Sequence, residues 1–312
     1  MPDSLKVALL LGGFSAEREI SLQSGAAVAS ALAERGHCVT PLDPQETDPA
    51  GVDWDKFDVA FLALHGTYGE DGTIQRLLEA ARVPFTGSSA AASRLAFSKS
   101  AAKERMAQFG VPTPEAVLIH RADSRTRIDE RICGIGFPLV VKPDAQGSSL
   151  GVTIVRDPEE FPAALVRCFE YDSFGLIEPF VDGSEWTVAL IDDDVLPPIR
   201  IVPKSPFFDY RAKYEDDATG YDFDGGVDPP TREMIGRIAR GACRAIGTRG
   251  AARVDLILDG CRQPWVLEVN TIPGLTTHSL LPKAAARAGY SFADLCETLC
   301  RRAMAAEKRR AA

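Results

Sequence analysis

The sequence predicts a mixed α/β and α+β protein in three consecutive units. Residues 1–94 read as a doubly wound parallel-sheet unit, 95–182 as a smaller α+β unit and 183–312 as a unit with antiparallel strands. Three observations carry this. Strand and helix patterns alternate over the first ~90 residues, as βαβ construction requires. The texture changes near Ala90, where a helical run leads into a hairpin pattern. The last third opens on alternating strands and ends its sheet with two apolar strands joined by the short "GCRQP". A chain of 312 residues also exceeds one comfortable core, so two or three units of ~100 residues each are expected.

Each element follows from its local pattern. "KVALLLGG" reads as a buried parallel strand ending in a glycine turn. "SLQSGAAVASALAERG" reads as an Ala-rich helix with Gly36 at its stop position. Strands follow at "CVTPLD" and at "DVAFLAL", the latter ending at His65, and "TIQRLLEAARV" is helical again. Ligands of such a unit sit at the carboxyl ends of its strands, where "GGFSAERE" and "HGTYGEDGT" occur. Beyond Ala90, "SRLAFSKSAAKERMAQFG" reads as one helix closed by Gly110. "PLVVKPDAQGSSLGVTIV" reads as a hairpin around "DAQGSS", and "FGLIEPFVDG" as a strand running into a linker. "EWTVALID" and "PPIRIV" alternate like antiparallel strands. An irregular stretch from Pro206 to Pro230 precedes a long helix, "TREMIGRIARGACRAIG", and the strands "ARVDLILD" and "PWVLEVN".

Composition narrows the function. A net charge of −9 disfavours nucleic acid or an anionic membrane as partner, while leaving room for a small anionic ligand at local positive sites. Seven cysteines without a C-x-x-C pair fit a reducing, cytoplasmic setting. Cys296 and Cys300 read as packing residues of a C-terminal helix. The N-terminus lacks the pattern of a signal peptide, and no run approaches the ~18 apolar residues of a membrane span.

The chemistry concentrates in "LEVNTIPGL". Glu268 and Asn270 are two apart on a strand, so they share a face. Asp255 lies in the strand before, so the inward faces of an antiparallel pair can converge. Asp, Glu and Asn together offer hard oxygen ligands suited to Mg²⁺, without the His or Cys that zinc favours. A strand end salt-bridged to an Arg is the plainer alternative. Lys99, Lys142 and Lys213 can serve phosphates, and "AQGSS" can cover them with backbone N–H groups. Each lysine alone reads equally well as a surface residue.

The ordered set of motifs goes further. "LLGGFSAEREISLQSG", "LHGTYGEDGTIQ", "FTGSS", "VVKPDAQGSSLG", "LIEPF", "GSEWTV", "FFDYRAKY", "ARVDLIL" and "LEVNTIPGLTTHSLLP" resemble, in order and over essentially the whole chain, the D-alanine–D-alanine ligases of the ATP-grasp superfamily. The resemblance implies a three-domain ATP-grasp fold and ligation of two D-alanines through an acyl phosphate for peptidoglycan precursors. It implies Asp255, Glu268 and Asn270 as ligands of two Mg²⁺ ions, with Mn²⁺ able to substitute. Lys99, Lys142 and Lys213 match nucleotide-binding lysines, and Glu185 the ribose-binding acid. Glu178, Pro179, Phe180 and Val181 match the adenine-reading hinge; Pro179 lacks an N–H but keeps its carbonyl. Glu17, assisted by His65, matches the group that holds the first substrate's ammonium. Arg253 and the Gly274 N–H match the oxyanion donors. Ser279 and the Leu280 backbone would hold the second carboxylate at a helix N-terminus. Ser148 and Tyr214 belong to the cover over the site and form a hydrogen-bonded set with Glu17. A homodimer is also implied.

Alternatives stay open at this point. Glu17 could cap the helix behind it, Arg253 could pair with Glu268, and His65 could be a satisfied strand-end residue. The second substrate could be D-lactate or D-serine, or the chain could be a non-catalytic ATP-binding relative. Tyr214 together with Ser148 implies the dipeptide product. "DFDGGVDPP" departs from the family pattern after Tyr221, and its extra Gly and Asp predict a more flexible, more acidic exit from the lid.

Overall fold

Strand β1 (Lys6–Leu10) stands at the centre of a parallel sheet between β2 (Cys38–Leu42) and β3 (Val59–Leu62). The computed structural model describes residues 4–202 and 220–311, with backbone alone at 310 and 311. Alternate residues of β1 feed different cores, which is why its sequence is a continuous apolar run. Val7 and Leu9 pack with α1 (Arg18–Glu34), while Ala8 and Leu10 pack with α2 (Thr73–Ala80). Helix α1 begins three residues before the run read as helical.

The segment expected to be one helix over 93–110 is two: α3 (Ala90–Phe97) and α4 (Lys99–Gln108). Ser98 divides them. Its extended backbone ends α3, and its Oγ accepts the Ala101 N–H of α4. A helix pattern counts apolar spacing and is blind to such a mid-run cap.

A four-stranded antiparallel sheet follows, in the order β4 (Val117–His120), β7 (Phe174–Pro179), β5 (Leu139–Pro143), β6 (Thr153–Val155). The predicted hairpin is β5–β6. Helices α5 (Arg125–Arg131) and α6 (Phe161–Phe169) close one face of this sheet around Ile119, Val141 and Phe161. Neither helix nor β4 was expected from the sequence; all three are short.

The C-terminal sheet runs β11 (Gly220–Asp222), β10 (Ile199–Val202), β8 (Gly183–Ile191), β12 (Ala251–Asp259), β13 (Pro264–Asn270), with β9 (Asp194–Val195) paired to β8. Its strands alternate cleanly. Trp186, Val188, Val254, Leu256 and Val266 face a core shared with α3, α4 and α7 (Pro229–Ile246). The first helices of the central segment therefore pack on the C-terminal sheet. Helices α8 (Leu280–Arg287) and α9 (Phe292–Ala311) pack with α1 and with β1, joining both ends of the chain in one core. Cys296 and Cys300 lie fully buried there, and burial pushes the Cys296 thiol up to about 12. They are packing residues, as the helical pattern implied.

The departure at "DFDGG" forms a turn packed against the C-terminal sheet. Gly225 has a φ of +61°, and a Cβ there would come within 2.0 Å of the Trp186 ring. The Asp222 carboxylate accepts N–H groups from Asp224 and Gly225, and Phe223 packs on the core that joins the two ends of the chain. Glycine at 225 is needed for close approach to Trp186. The "FFDYRAKY" motif, with Lys213 and Tyr214, lies outside the described residues.

Candidate active site

The face of the C-terminal sheet opposite its core carries the polar set. Cross-strand register places Asp255 opposite Glu268 and Arg253 opposite Asn270. On the other side Asp255 stands opposite Thr187, and Ile257 opposite Glu185. The register shifts between Asp255 and Leu256, so Leu267 is the extra residue of a bulge. Bulges of this kind re-aim side chains, and Leu267 and Glu268 both line the cavity beside it.

That cavity has a volume of about 330 Å³ and lies between the four-stranded and C-terminal sheets. Lys99, Lys142, Glu178, Pro179, Phe180, Val181, Glu185, Asp255 and Glu268 all line it. Val140, Ile154, Ile201 and Ile257 supply apolar walls. Nine residues of the cofactor and metal expectations thus meet here, while Ser148 and Asn270 line the adjoining smaller cavity. The Phe180 N–H is taken by the Pro138 carbonyl at 3.0 Å, so the hinge donor expected at Val181 is the next along the chain.

Lys99 opens α4, where a cation is disfavoured by the helix dipole. Its surroundings offset this: Lys99 Nζ donates to the Gln146 carbonyl at 2.6 Å and lies 3.4 Å from Glu268 Oε2. Asp144 caps the same helix start, accepting the Ser100 N–H at 2.7 Å and the Ser98 hydroxyl at 2.8 Å. In the cavity wall, Glu178 is 2% exposed. Its Oε1 receives Lys142 Nζ at 2.8 Å and Lys103 Nζ at 3.0 Å. Burial alone would raise the Glu178 carboxyl, but the two lysines outweigh it and hold it below the usual range. Burial draws the Lys103 ammonium down to about 8, against the pull of Glu178.

A smaller cavity of about 50 Å³ adjoins, lined by Glu17, His65, Glu70, Ser148, Arg253, Asn270, Gly274, Ser279 and Leu280, and sharing Glu268 with the first. Glu17 occupies the cap position of α1, yet its side chain makes no capping bond. It accepts the Ser148 hydroxyl instead, so the capping alternative falls. Ser148 and Ser149 hold φ of 53° and 58°. Left-handed backbone in residues with a Cβ costs of order 1 kcal/mol or more and is typical of functional loops. His65 Nε2 meets Ser24 Oγ at 3.2 Å, and that oxygen accepts the Leu275 N–H at 3.3 Å. The N-terminal sheet end is thereby tied to the Gly274–Leu275 turn. A Cβ on Gly274 would lie 2.6 Å from Ser279 Oγ, so any larger residue there would have to displace that hydroxyl. Ser279 heads α8, and its Oγ accepts the Thr276 N–H at 3.1 Å.

Arg253 forks onto Asp255, Nε to Oδ1 at 2.9 Å and a terminal nitrogen to Oδ2 at 2.7 Å. Thr187 donates to Asp255 Oδ1 at 2.6 Å, and Asn270 Nδ2 to Oδ2 at 3.3 Å. Bidentate, charge-assisted contact of this kind fixes the orientation of the carboxylate. Among the described residues no three His, Cys, Asp or Glu side chains converge. The trio is completed by the Asn270 amide, and its all-oxygen donors fit a hard divalent cation.

Glu70 was quoted within "HGTYGEDGT" but given no role. Burial pushes its carboxyl above the ordinary range, with His65 opposing and Glu17 adding. Lys103 was missed as well. Its signal was available: it lies four residues after Lys99, on the same helix face.

The family model described as "D-ala D-ala ligase C-terminus" matches residues 106–301, and "D-ala D-ala ligase N-terminus" matches 43–88. A D-alanine–D-alanine ligase of Halorhodospira halophila is 43% identical over 290 residues, 93% of each chain. The crystal structure of D-alanine–D-alanine ligase from Bacillus anthracis is similar with a TM-score of 0.89 at 33% identity, covering 98% of this chain and 100% of that one. A second structure of that enzyme, complexed with ATP, gives 0.86 at 30% identity over 98% and 100%. A D-Ala:D-Ser ligase from Enterococcus faecalis gives 0.85 at 28% identity over 96% and 99%.

Proposed function

The chain belongs to the D-alanine–D-alanine ligase family, and from that premise we propose that its two adjoining cavities are the two halves of one ligase site. The activity is ATP-dependent ligation of two D-alanines to D-alanyl-D-alanine for peptidoglycan synthesis. The larger cavity is read as the ATP site and the smaller as the D-alanine site. The observation that carries this is the shared wall: Glu268 lines both.

A carboxylate is a poor electrophile for an amine, so the first D-alanine is activated by the γ-phosphoryl group as an acyl phosphate. Lys99 and Lys142 balance charge on the phosphates. Asp255, Glu268 and Asn270 would hold Mg²⁺, or Mn²⁺ in its place, and such an ion would supply positive charge to the phosphoryl group. Glu17 orients the first ammonium, with Ser148 fixing the Glu17 carboxylate. The second D-alanine, carboxylate at the α8 N-terminus by Ser279 and Leu280, attacks through its free amine. Arg253 and the Gly274 N–H stabilise the tetrahedral oxyanion. Glu185 binds the ribose. The reading includes a cytoplasmic homodimer formed through the N-terminal unit; a monomeric mass by light scattering at micromolar protein overturns that part.

The test is a phosphate-release screen with ATP across D- and L-amino acids and D-hydroxy acids. D-alanine alone should support full release. With equal D-alanine and D-lactate at pH 7 the dipeptide should dominate; a mainly depsipeptide product, or preference for D-serine, overturns the second-substrate assignment.

A further inference from the structure

We propose that Lys103 is a positioning residue of the nucleotide site: it is the standing counter-ion of Glu178, and so leaves the charge of Lys142 for the phosphates. The inference rests on the ATP-site reading above and goes beyond it, since Lys103 does not line the cavity.

The Lys103 ammonium donates to Thr113 Oγ1 at 2.8 Å and to the Pro114 carbonyl at 2.9 Å, and stands 3.0 Å from Glu178 Oε1. Two of its three N–H donors are thus engaged, and the ion pair with Glu178 faces the third side. Lys142 reaches the same Glu178 oxygen at 2.8 Å and also lines the cavity. Two cations thus share one buried carboxylate, and one positive charge remains. Without Lys103, Glu178 and Lys142 would form a neutral buried pair. Parting such a pair strands a buried charge, which is strongly unfavourable, so Lys142 would be held back from the nucleotide.

The groups facing Lys103 are Glu178 on β7, Lys142 on β5 and Lys99 on its own helix. Its ammonium is held down to about 8, by burial first. A lysine with a depressed value is charged below it and neutral above. The counter-charge on Glu178 is therefore present at pH 7 and lost as pH rises through about 8, so ATP affinity falls over that range.

The experiment is ATP titration calorimetry at pH 7 and pH 9 on the full chain, unaltered and as K103M, K103R, E178Q and K103M/E178Q, with melting temperatures in parallel. At pH 7, K103M should weaken ATP binding about tenfold, the worth of one charge-assisted contact. In the E178Q background the same change should cost little, because no carboxylate remains to capture Lys142. The unaltered chain should bind ATP more weakly at pH 9 than at pH 7, and K103R should not. Equal ATP affinity in K103M, or an equal loss in both backgrounds, overturns the inference. If K103M does not fold, the pH arm decides: a flat profile in the unaltered chain overturns it. Absence of ATP binding by the unaltered chain at pH 7 would instead bring down the ATP-site reading itself.

Discussion

The two cavities dispose their charges in opposite ways. In the larger, Lys99 and Lys142 come from separate elements onto the lining acids Glu268 and Glu178, beside apolar walls of Val140, Ile154, Ile201 and Ile257. In the smaller, donors and acceptors are bonded to each other: Ser148 to Glu17, Arg253 to Asp255, Thr276 to Ser279. On the proposed assignment, the difference follows from the ligands. A nucleotide brings a flat apolar base, which the apolar walls suit, and several negative charges, which Lys99, Lys142 and Arg200 face across a lining that also holds four acids. Two amino acids bring charges of both signs at close quarters. Groups that suit them also suit one another, so the small pocket must exchange internal bonds for substrate bonds.

The largest effect is expected where the two cavities meet. Glu268→Gln keeps size but removes a charge from both, and phosphate release should fall roughly 100-fold or more, beyond the loss typical of a residue one shell out from a metal. Near-normal turnover at saturating Mg²⁺ would take Glu268 out of the metal site. Next, Arg253→Met addresses the oxyanion in the small cavity, and turnover should drop about 100-fold. A change in ATP affinity as large as the change in turnover would mean that Arg253 serves the nucleotide side instead.

Two milder variants sharpen the contrast. Glu185→Gln alters only the larger cavity, so KM for ATP should rise about tenfold, the worth of one hydrogen bond to a charged group. KM for D-alanine should stay put; movement of both constants together would merge the two regions. Ser148→Ala releases Glu17 from its internal bond, and KM for D-alanine should change by about fivefold, as for one neutral-donor hydrogen bond. Steady-state kinetics with ATP saturating measure it, and a loss confined to ATP affinity would contradict the division.

Much of this was legible in the chain itself. The βαβ alternation gave the parallel sheet because burial on both faces leaves a continuous apolar run, as in "VALLL" and "VAFLAL". The two-residue spacing of Glu268 and Asn270 gave their common face because strand geometry is local. Gly36 and Gly110 marked helix ends because left-handed caps are a property of the residue. What escaped depended on neighbours distant in sequence. The break at Ser98 is secured by Asp144. The glycine at 225 is required by Trp186, which lies 39 residues earlier in the chain. Glu17 is taken from helix capping by Ser148, 131 residues away.

The sequence by itself determined which residues could do chemistry, through residue type and short-range spacing: the oxygen ligands, the cavity lysines, the glycines of the loops. Tertiary structure alone decided how those charges are apportioned. Lys103 and Lys142 share a single Glu178 oxygen, Lys99 pairs with Glu268, and Arg253 forks onto Asp255, not onto Glu268 as the plainer alternative had it. Pairing in a buried site is set by distances across sheets and by the cost of leaving any one charge alone, and neither quantity is written along the chain.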